Sequence, residues 1–138
     1  MLRRLRRFAA GIWRGDSLGR RGERVAAGYL EERGLRILGR NVRQGRLEID
    51  LVAVDGPTLV FVEVKSHTHN PAAEVTGLEK LNAAKRRALR RACALYRKRA
   101  RPAPESYRLD AVTVEFMNEG GRLRVREVRW YPGVMSLD

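Results

Sequence analysis

The chain has 138 residues, 43% hydrophobic and 33% charged, so it is long enough for one folded domain and too apolar to be a disordered chain. Its 29 lysines and arginines outnumber 16 acidic residues, and the net charge of +13 favours nucleic acid or an anionic membrane surface as partner. A general arginine bias of the source genome is the alternative. The single cysteine excludes an internal disulfide and a cysteine cluster for zinc, and a reducing cytoplasm is expected.

Residues 1–16 are predicted to form a basic arm ahead of a single domain over residues 17–138. In this arm, apolar residues at helical spacing alternate with arginines, among them Arg3 and Arg4. The pattern is typical of a membrane-surface helix or of a flexible arm on phosphates, and a frayed, solvated terminus fits it equally well. Because the apolar residues are not continuous, neither a secretory signal nor membrane insertion is expected.

The first predicted helix covers residues 18–33, with Ser17 as N-cap and Gly34 in the C′ position. Glu23 lies on the same face as the apolar stripe that ends at Leu30. A carboxylate there is costly unless it pairs with a neighbouring arginine or binds a metal. Both interpretations remain open from the sequence.

A short strand over residues 35–42 leads into a predicted hairpin over residues 47–65. The residues Asp55-Gly56-Pro57 strongly favour a turn. Closing the hairpin there pairs Val54 with Leu59. In the first strand, alternation predicts one face made of Leu47, Ile49 and Leu51.

The same register sets Asp50 opposite Glu63 and Glu48 opposite Lys65. Facing carboxylates repel unless a cation lies between them, so Asp50 and Glu63 are candidate ligands for a hard divalent metal. Lys65 follows Glu63 on the same face and could hold an attacking water or stabilise charge on a phosphate. A half-solvated sheet face is the alternative, but the charges come only where an otherwise apolar strand ends.

The next segment, from residue 66, is predicted to be a loop that carries His67 and His69. Their alternate spacing is weak evidence for a metal site; we favour a position near phosphate, with ordinary solvated histidines as the alternative. A second helix is predicted from residue 78 to about residue 99. Its basic faces carry few acids and suit a phosphate backbone, the candidates being Lys85, Arg86, Arg87, Arg90 and Arg91.

Two further strands, residues 107–116 and 123–130, are predicted to flank a hairpin loop. Asp110 falls on the apolar face of the first of them and is a further acid of interest. A carboxylate in that position needs a partner or a function.

The combined motifs resemble the PD-(D/E)xK nuclease superfamily, in particular the uncharacterised YraN-like family of small bacterial proteins and, more distantly, the archaeal Holliday junction resolvases. The matching stretches are G-E-R-V-A-A-x-Y-L from residue 22, G-L-x-I-L-x-R-N from residue 34, E-I-D-L-V from residue 48, L-V-F-V-E-V-K from residue 59 and R-L-D-A-V-T-V from residue 108. The resemblance implies an α/β (α+β) fold with a restriction endonuclease-like αβββαβ core, in which helices flank a mixed central sheet.

The resemblance also implies site residues. Asp50 and Glu63 would be metal ligands for Mg²⁺ or Mn²⁺, with Lys65 as the catalytic lysine. Glu23 would complete the metal shell, and Glu48 matches the acid of the family's G-E-I-D motif, in which this chain has leucine at the glycine position.

We therefore expect a metal-dependent endonuclease that acts on DNA in preference to RNA, with branched or junction DNA as a candidate substrate. A homodimer is open by analogy with resolvases that cut two strands symmetrically. Two alternatives remain: a nucleic-acid-binding protein that keeps the fold without chemistry, and an anionic membrane-surface protein that acts through the basic arm.

Overall fold

The structure is a computed structural model that describes residues 17–70 and 83–137. The predictions for the basic arm, including Arg3 and Arg4, and for the start of the second helix lie outside these residues. The described elements are α1 (Leu18–Glu32), β1 (Arg36–Gln44), β2 (Leu47–Asp55), β3 (Thr58–Thr68), α2 (Ala83–Arg99), β4 (Ser106–Glu119) and β5 (Arg122–Ser136). Neither of the two described helices has the length and apolar character that a membrane span requires.

The five strands form one sheet in the order β1-β2-β3-β4-β5. Strands β3 and β4 are parallel, because α2 connects them, and the other neighbours are antiparallel. The predicted αβββαβ order and the mixed sheet are confirmed. Strand β5 extends the sheet on the far side of β4.

Helix α1 begins and ends as its sequence predicts. The Ser17 side chain accepts a hydrogen bond from the Arg20 amide at 3.2 Å. At the other end Gly34 has a φ of +94°, and the amides of Gly34 and Leu35 donate to the carbonyls of Glu31 and Leu30. This pattern is a Schellman motif, which a left-handed glycine permits.

The sheet is buried on both faces, with one helix against each. Val60 and Val62 pack on the α1 side, whereas Leu59 and Phe61 pack on the α2 side, as strand alternation requires. The core under α1 also contains Phe116. Helices on both faces explain why β3 is a nearly continuous apolar run before Glu63.

Strand β2 departs from simple alternation near its middle. Leu51 packs under α1, but Ile49 packs with Val52 under α2. The predicted common face of Leu47, Ile49 and Leu51 is therefore wrong, and the faces change over at Asp50. Asp50 lies at this change of face, between Ile49 on the α2 side of the sheet and Leu51 on the α1 side.

Close approach of α1 to β3 depends on Gly22. This glycine is buried, and a Cβ built on it would lie 1.6 Å from Ser66 Oγ and 2.9 Å from Ser66 Cβ. Side-chain carbon atoms cannot approach that closely, so a larger residue would push the helix away. The next residue is Glu23, and its position over the sheet depends on this contact.

Asp110 is fully buried and belongs to the framework. Its carboxylate accepts hydrogen bonds from Arg108 Nε at 2.9 Å, Trp130 Nε1 at 2.9 Å and the Gly133 amide at 2.7 Å. Arg108 also donates to Asp55 Oδ2 at 2.8 Å. These contacts tie β4 to β5 and to the β2–β3 turn, and they satisfy the charge that the sequence left without a partner.

We expect Gly22→Ala to lower the free energy of unfolding by about 1 to 3 kcal/mol, because the new methyl group overlaps Ser66. Urea unfolding would measure it. Gly19→Ala in the same helix is the control: its Cβ would meet only Ser17 Oγ at 3.9 Å, so the free energy of unfolding should stay equal or rise by up to about 1 kcal/mol. Adding Ser66→Ala to Gly22→Ala should recover part of the loss. Equal losses at both glycines would contradict the close-approach argument.

We expect Asp110→Ala to cost about 3 kcal/mol or more in the free energy of unfolding, because it leaves the partly buried Arg108 guanidinium without its main partner. Asp55→Ala removes the other partner of the same arginine, but Asp55 is 42% exposed and its loss should cost only about 1 kcal/mol or less. Urea unfolding of both variants would measure the difference. Similar losses would show that burial does not set the strength of these pairs.

Candidate functional site

The site lies where β2 and β3 part. Their ladder confirms the predicted pairing of Val54 with Leu59 and runs as far as Leu51 and Val62. It does not extend to the predicted pairs of Asp50 with Glu63 and of Glu48 with Lys65. Beyond this point β2 continues along β1 while β3 continues along β4, so the two strands diverge.

At the point of divergence, the Asp50 side chain replaces the backbone of β2 as a hydrogen-bond partner of β3. Its Oδ2 accepts a hydrogen bond from the Val64 amide at 2.8 Å. This bond satisfies a backbone donor that β2 no longer reaches. It also holds Asp50 and Glu63 at the same opening even though their backbones are not paired.

Two lysines contact one oxygen of Glu63. Lys85 Nζ, from α2, lies 2.5 Å from Glu63 Oε1, and Lys65 Nζ, from β3, lies 3.7 Å from it. All three side chains are partly buried, with exposures between 22% and 35%. The opening therefore contains both signs of charge in close contact.

The pKa of Asp50 is raised above its ordinary value. Burial is the main cause, and the negative charges of Glu63 and Glu48 add to it. The hydrogen bond from the Val64 amide and the positive charge of Lys85 act in the opposite direction and do not cancel the rise. In this structure the ionised form of Asp50 is therefore under-compensated.

Glu23 reaches the same region from α1. Burial raises the pKa of its carboxyl group, and the charges of Asp50 and Glu48 raise it further. A hydrogen bond from the Asn41 side chain and the positive charge of Arg20 lower it, but the net shift is upward. The charge of Arg20, one of the arginines next to Glu23 in the helix, thus acts on Glu23 but does not balance burial and the neighbouring acids.

Glu48 is the most exposed of these acids and lies opposite Arg43 of β1 in the sheet register. Three of the four acids, Glu48, Asp50 and Glu63, line a cleft between the sheet and α2, together with Lys85 and Leu89, and Glu23 lies outside this lining. A larger concavity at the β1 edge is lined by Glu31 and residues 35–40. It contains one carboxylate, so the acid-rich cleft is the better candidate site.

The donor set of the cleft suits a small hard cation. In the described parts of the chain, three or more metal-binding side chains do not converge on one point, so a complete cage of protein ligands is not formed there. Mg²⁺ commonly uses one or two carboxylates and keeps several waters, so Asp50 and Glu63 match its needs. Burial and repulsion already disfavour ionised Asp50, which is the condition that a bound cation relieves.

The predicted basic face of α2 is present. The helix buries Leu89, Ala92 and Cys93 against the sheet, and four of its arginines are exposed on the other side: Arg86, Arg87, Arg90 and Arg91. Lys85 differs from these four because it is turned into the cleft. Cys93 is buried and packs in the core on the α2 side of the sheet.

His67 and His69 lie near one carboxylate. His67 belongs to β3, so the predicted loop begins later than expected. His67 Nε2 and His69 Nδ1 lie 3.1 and 2.7 Å from the oxygens of Glu115, which also accepts from Arg126 at 2.6 Å. Burial alone would raise the pKa of Glu115, but these hydrogen bonds outweigh it and lower the pKa. The histidines are thus engaged by one acid rather than simply solvated.

The predictions from the sequence miss two features of the site. Asn41, within the segment predicted as a strand, has a φ of +50°, and its side chain donates a hydrogen bond to Glu23. Asparagine tolerates this left-handed conformation better than most residues, which is the one local signal available. Lys85 was predicted among the phosphate-binding residues; its spacing of four residues from the buried Leu89 is the signal that separates it from the neighbouring arginines.

Comparison with known proteins gives a consistent assignment. The profile of the uncharacterised protein family UPF0102 matches residues 22–114. A UPF0102 protein of Symbiobacterium thermophilum is 45% identical over 112 residues, which cover 81% of this chain and 92% of that protein. One of Syntrophotalea carbinolica is 37% identical over 125 residues, covering 88% of this chain and 94% of that protein.

Among solved structures, SfsA of Pyrococcus furiosus in complex with Ca²⁺ aligns with a TM-score of 0.44 and 17% identity, covering 80% of this chain and 62% of that one. The family assignment depends on the sequence matches and not on this alignment. The resemblance to the YraN-like family is confirmed, and the chain belongs to the uncharacterised protein family UPF0102, a member of the restriction endonuclease-like superfamily.

Proposed function

We propose that this protein is a Mg²⁺- or Mn²⁺-dependent endonuclease that hydrolyses phosphodiester bonds in DNA, with branched or junction DNA among its substrates. The observation that carries the proposal is the placing of two carboxylates, Asp50 and Glu63, at the opening between β2 and β3, with Lys65 and Lys85 in contact with Glu63 and the charges of Glu23 and Glu48 nearby. Burial and neighbouring acids raise the pKa of Asp50 and of Glu23, a bound cation would offset this uncompensated charge, and a nearby lysine suits a reaction that develops negative charge.

Asp50 and Glu63 would hold the cation, and Glu23 and Glu48 would add negative charge beside it. A divalent cation bound there supplies a Lewis acid for the scissile phosphate and lowers the pKa of a bound water. The Val64 amide keeps the Asp50 carboxylate in place, because its hydrogen bond fixes one carboxylate oxygen at 2.8 Å. The site is thus supported by the backbone of β3 before any ligand arrives.

Lys65 would orient the attacking water or neutralise charge on the phosphate. It extends from the same strand and the same face as Glu63 and lies 3.7 Å from it, so both groups would act on one phosphate. The exposed arginines of α2 would hold the backbone on either side without reading bases. Several positive charges along one helix suit a polyanionic substrate better than a small anion.

Removing the charge of Asp50 should stabilise the protein in EDTA. We expect Asp50→Asn to raise the free energy of unfolding at pH 7 on the order of 1 kcal/mol, because a raised pKa means that folding opposes the ionised form. The gain in stability should shrink as the pH falls through the raised pKa. It should vanish below the ordinary value of 3.8, where Asp50 is protonated in both the folded and the unfolded wild type. Thermal unfolding from pH 3 to 8 would measure it.

Asp55→Asn is the control for this test. It makes the same change on the same strand, but it weakens the bond with Arg108 and should lower the melting temperature or leave it unchanged. Saturating Mn²⁺ should reverse the order by stabilising the wild type more than Asp50→Asn. A melting temperature of Asp50→Asn below that of the wild type in EDTA would contradict the charge imbalance described here.

Cleavage would test the activity itself. Wild-type protein with Mn²⁺ should cut one or more of linear, nicked and four-way DNA, and Asp50→Ala should reduce the rate by roughly 10²- to 10³-fold, since metal-assisted stabilisation is worth several kcal/mol. A gel assay with end-labelled strands would measure it. Glu105→Gln is the control, because Glu105 is exposed and precedes β4, and its rate should equal that of the wild type.

The same assay separates the second candidate function. If every substrate remains intact with wild type and with Asp50→Ala, the catalytic proposal fails. A salt-dependent DNA affinity that is equal in wild type, Asp50→Ala and Glu63→Ala would then identify a binding protein without chemistry.

A further inference from the structure

Lys85 approaches the cleft from the helix, whereas the acids project mainly from the sheet. Its Nζ is nearer to Glu63 Oε1 than Lys65 Nζ is, at 2.5 Å against 3.7 Å. The Lys85 and Glu63 side chains are 30% and 22% exposed, so the pair is partly shielded from water. Lys85 is therefore the principal cation on this oxygen.

The packing of α2 places Lys85 at this position. Leu89 follows it by four residues on the same helix face and is almost fully buried against the sheet. The neighbouring Arg86 and Arg87 lie on other faces and are exposed. The cleft therefore receives the one basic residue of this turn that shares the buried face.

The ammonium group and a divalent cation compete for the same place. Both are attracted by Glu63, and two cations on one carboxylate oxygen repel each other strongly when partly shielded from water. Lys85 also lies near enough to Asp50 to favour its ionised form, against the effects of Glu63 and Glu48. The ammonium group of Lys85 therefore offsets negative charge on both proposed metal ligands, Asp50 and Glu63.

We propose that Lys85 is the resident counter-ion of the metal-free site, and that a divalent cation displaces its ammonium group from Glu63. The proposal rests on the proposed function, because it concerns the same two carboxylates. Displacement returns Lys85 to the solvent beside Arg86, on the helix that is proposed to hold the substrate backbone. Metal binding and substrate binding are then linked through one side chain.

The first test uses the wild-type protein. Pulse acetylation followed by mass spectrometry should show that saturating Mg²⁺ increases the labelling rate of Lys85 by several-fold, because an amine released from an ion pair becomes more reactive. Lys98, which is exposed near the other end of α2, should be labelled equally with and without Mg²⁺. An unchanged or decreased rate at Lys85 would overturn displacement.

The second test measures Mn²⁺ affinity by titration calorimetry. Lys85→Met removes the competing charge and should bind Mn²⁺ roughly threefold to tenfold more tightly than the wild type. In EDTA its melting temperature should be lower than that of the wild type, because Glu63 loses its counter-ion. Arg86→Met makes the same change in net charge at an exposed position and should change neither value by as much. Weaker binding by Lys85→Met would mean that Lys85 supports the metal, and equal effects of both variants would reduce the result to net charge. If Lys85→Met does not fold, Lys85→Gln replaces it.

The outcomes separate this inference from the proposed function. If the wild type binds Mn²⁺ in a way that depends on Asp50, but Lys85→Met binds it no more tightly, the metal site stands and displacement is refuted. If neither protein binds Mn²⁺, the metal site itself is refuted and displacement with it. Mn²⁺ binding by Lys85→Met alone would also overturn displacement, because it would show that the lysine blocks the site and does not yield to the metal.

Discussion

The hydrogen bond between the Asp50 carboxylate and the Val64 amide is the contact on which the geometry of the site depends. Neighbouring strands of a sheet normally satisfy each other's backbone groups along their full length. Here β2 leaves β3 to remain with β1, and β3 remains with β4, so a backbone donor would lack a partner at the point of divergence. A side chain takes that place, and an acid is thereby fixed at an opening in the sheet.

The two helices close this opening from opposite faces. Gly22 allows α1 to approach β3 closely enough for Glu23 to share the electrostatic field of Asp50. On the other face, the burial of Leu89 brings Lys85 to Glu63. Because burial and like charges disfavour the ionised acids, while a lysine favours them, the site contains a balance that a bound cation would change.

The contrast between Asp110 and Asp50 shows how the same side chain serves different ends. Asp110 is fully buried and accepts from a guanidinium, an indole and an amide, so its charge is satisfied within the framework. Asp50 is only partly buried, accepts from one amide and lies beside other acids. Burial alone therefore does not single out a candidate functional acid; Asp50 differs from Asp110 because its burial is not fully compensated.

Features that depend on neighbours in the chain were determined by the sequence itself. The Ser17 cap, the left-handed Gly34, the turn at residues 55–58 and the order of helices and strands need only local chemistry, and they hold in the structure. The nearness of Glu63 and Lys65 on one face of β3 belongs to the same class, because alternation along a single strand brings them near each other.

Other features were decided only by the tertiary structure. The end of the β2–β3 ladder and the change of face at Ile49 depend on the competing neighbours β1 and β4, which no pattern within the hairpin encodes. Lys85 is separated from Glu63 by 22 positions, and its contact exists because α2 docks through Leu89. Hydrophobic packing between distant segments sets such contacts, so the sequence specified which charges are present and the assembled sheet decided which of them meet.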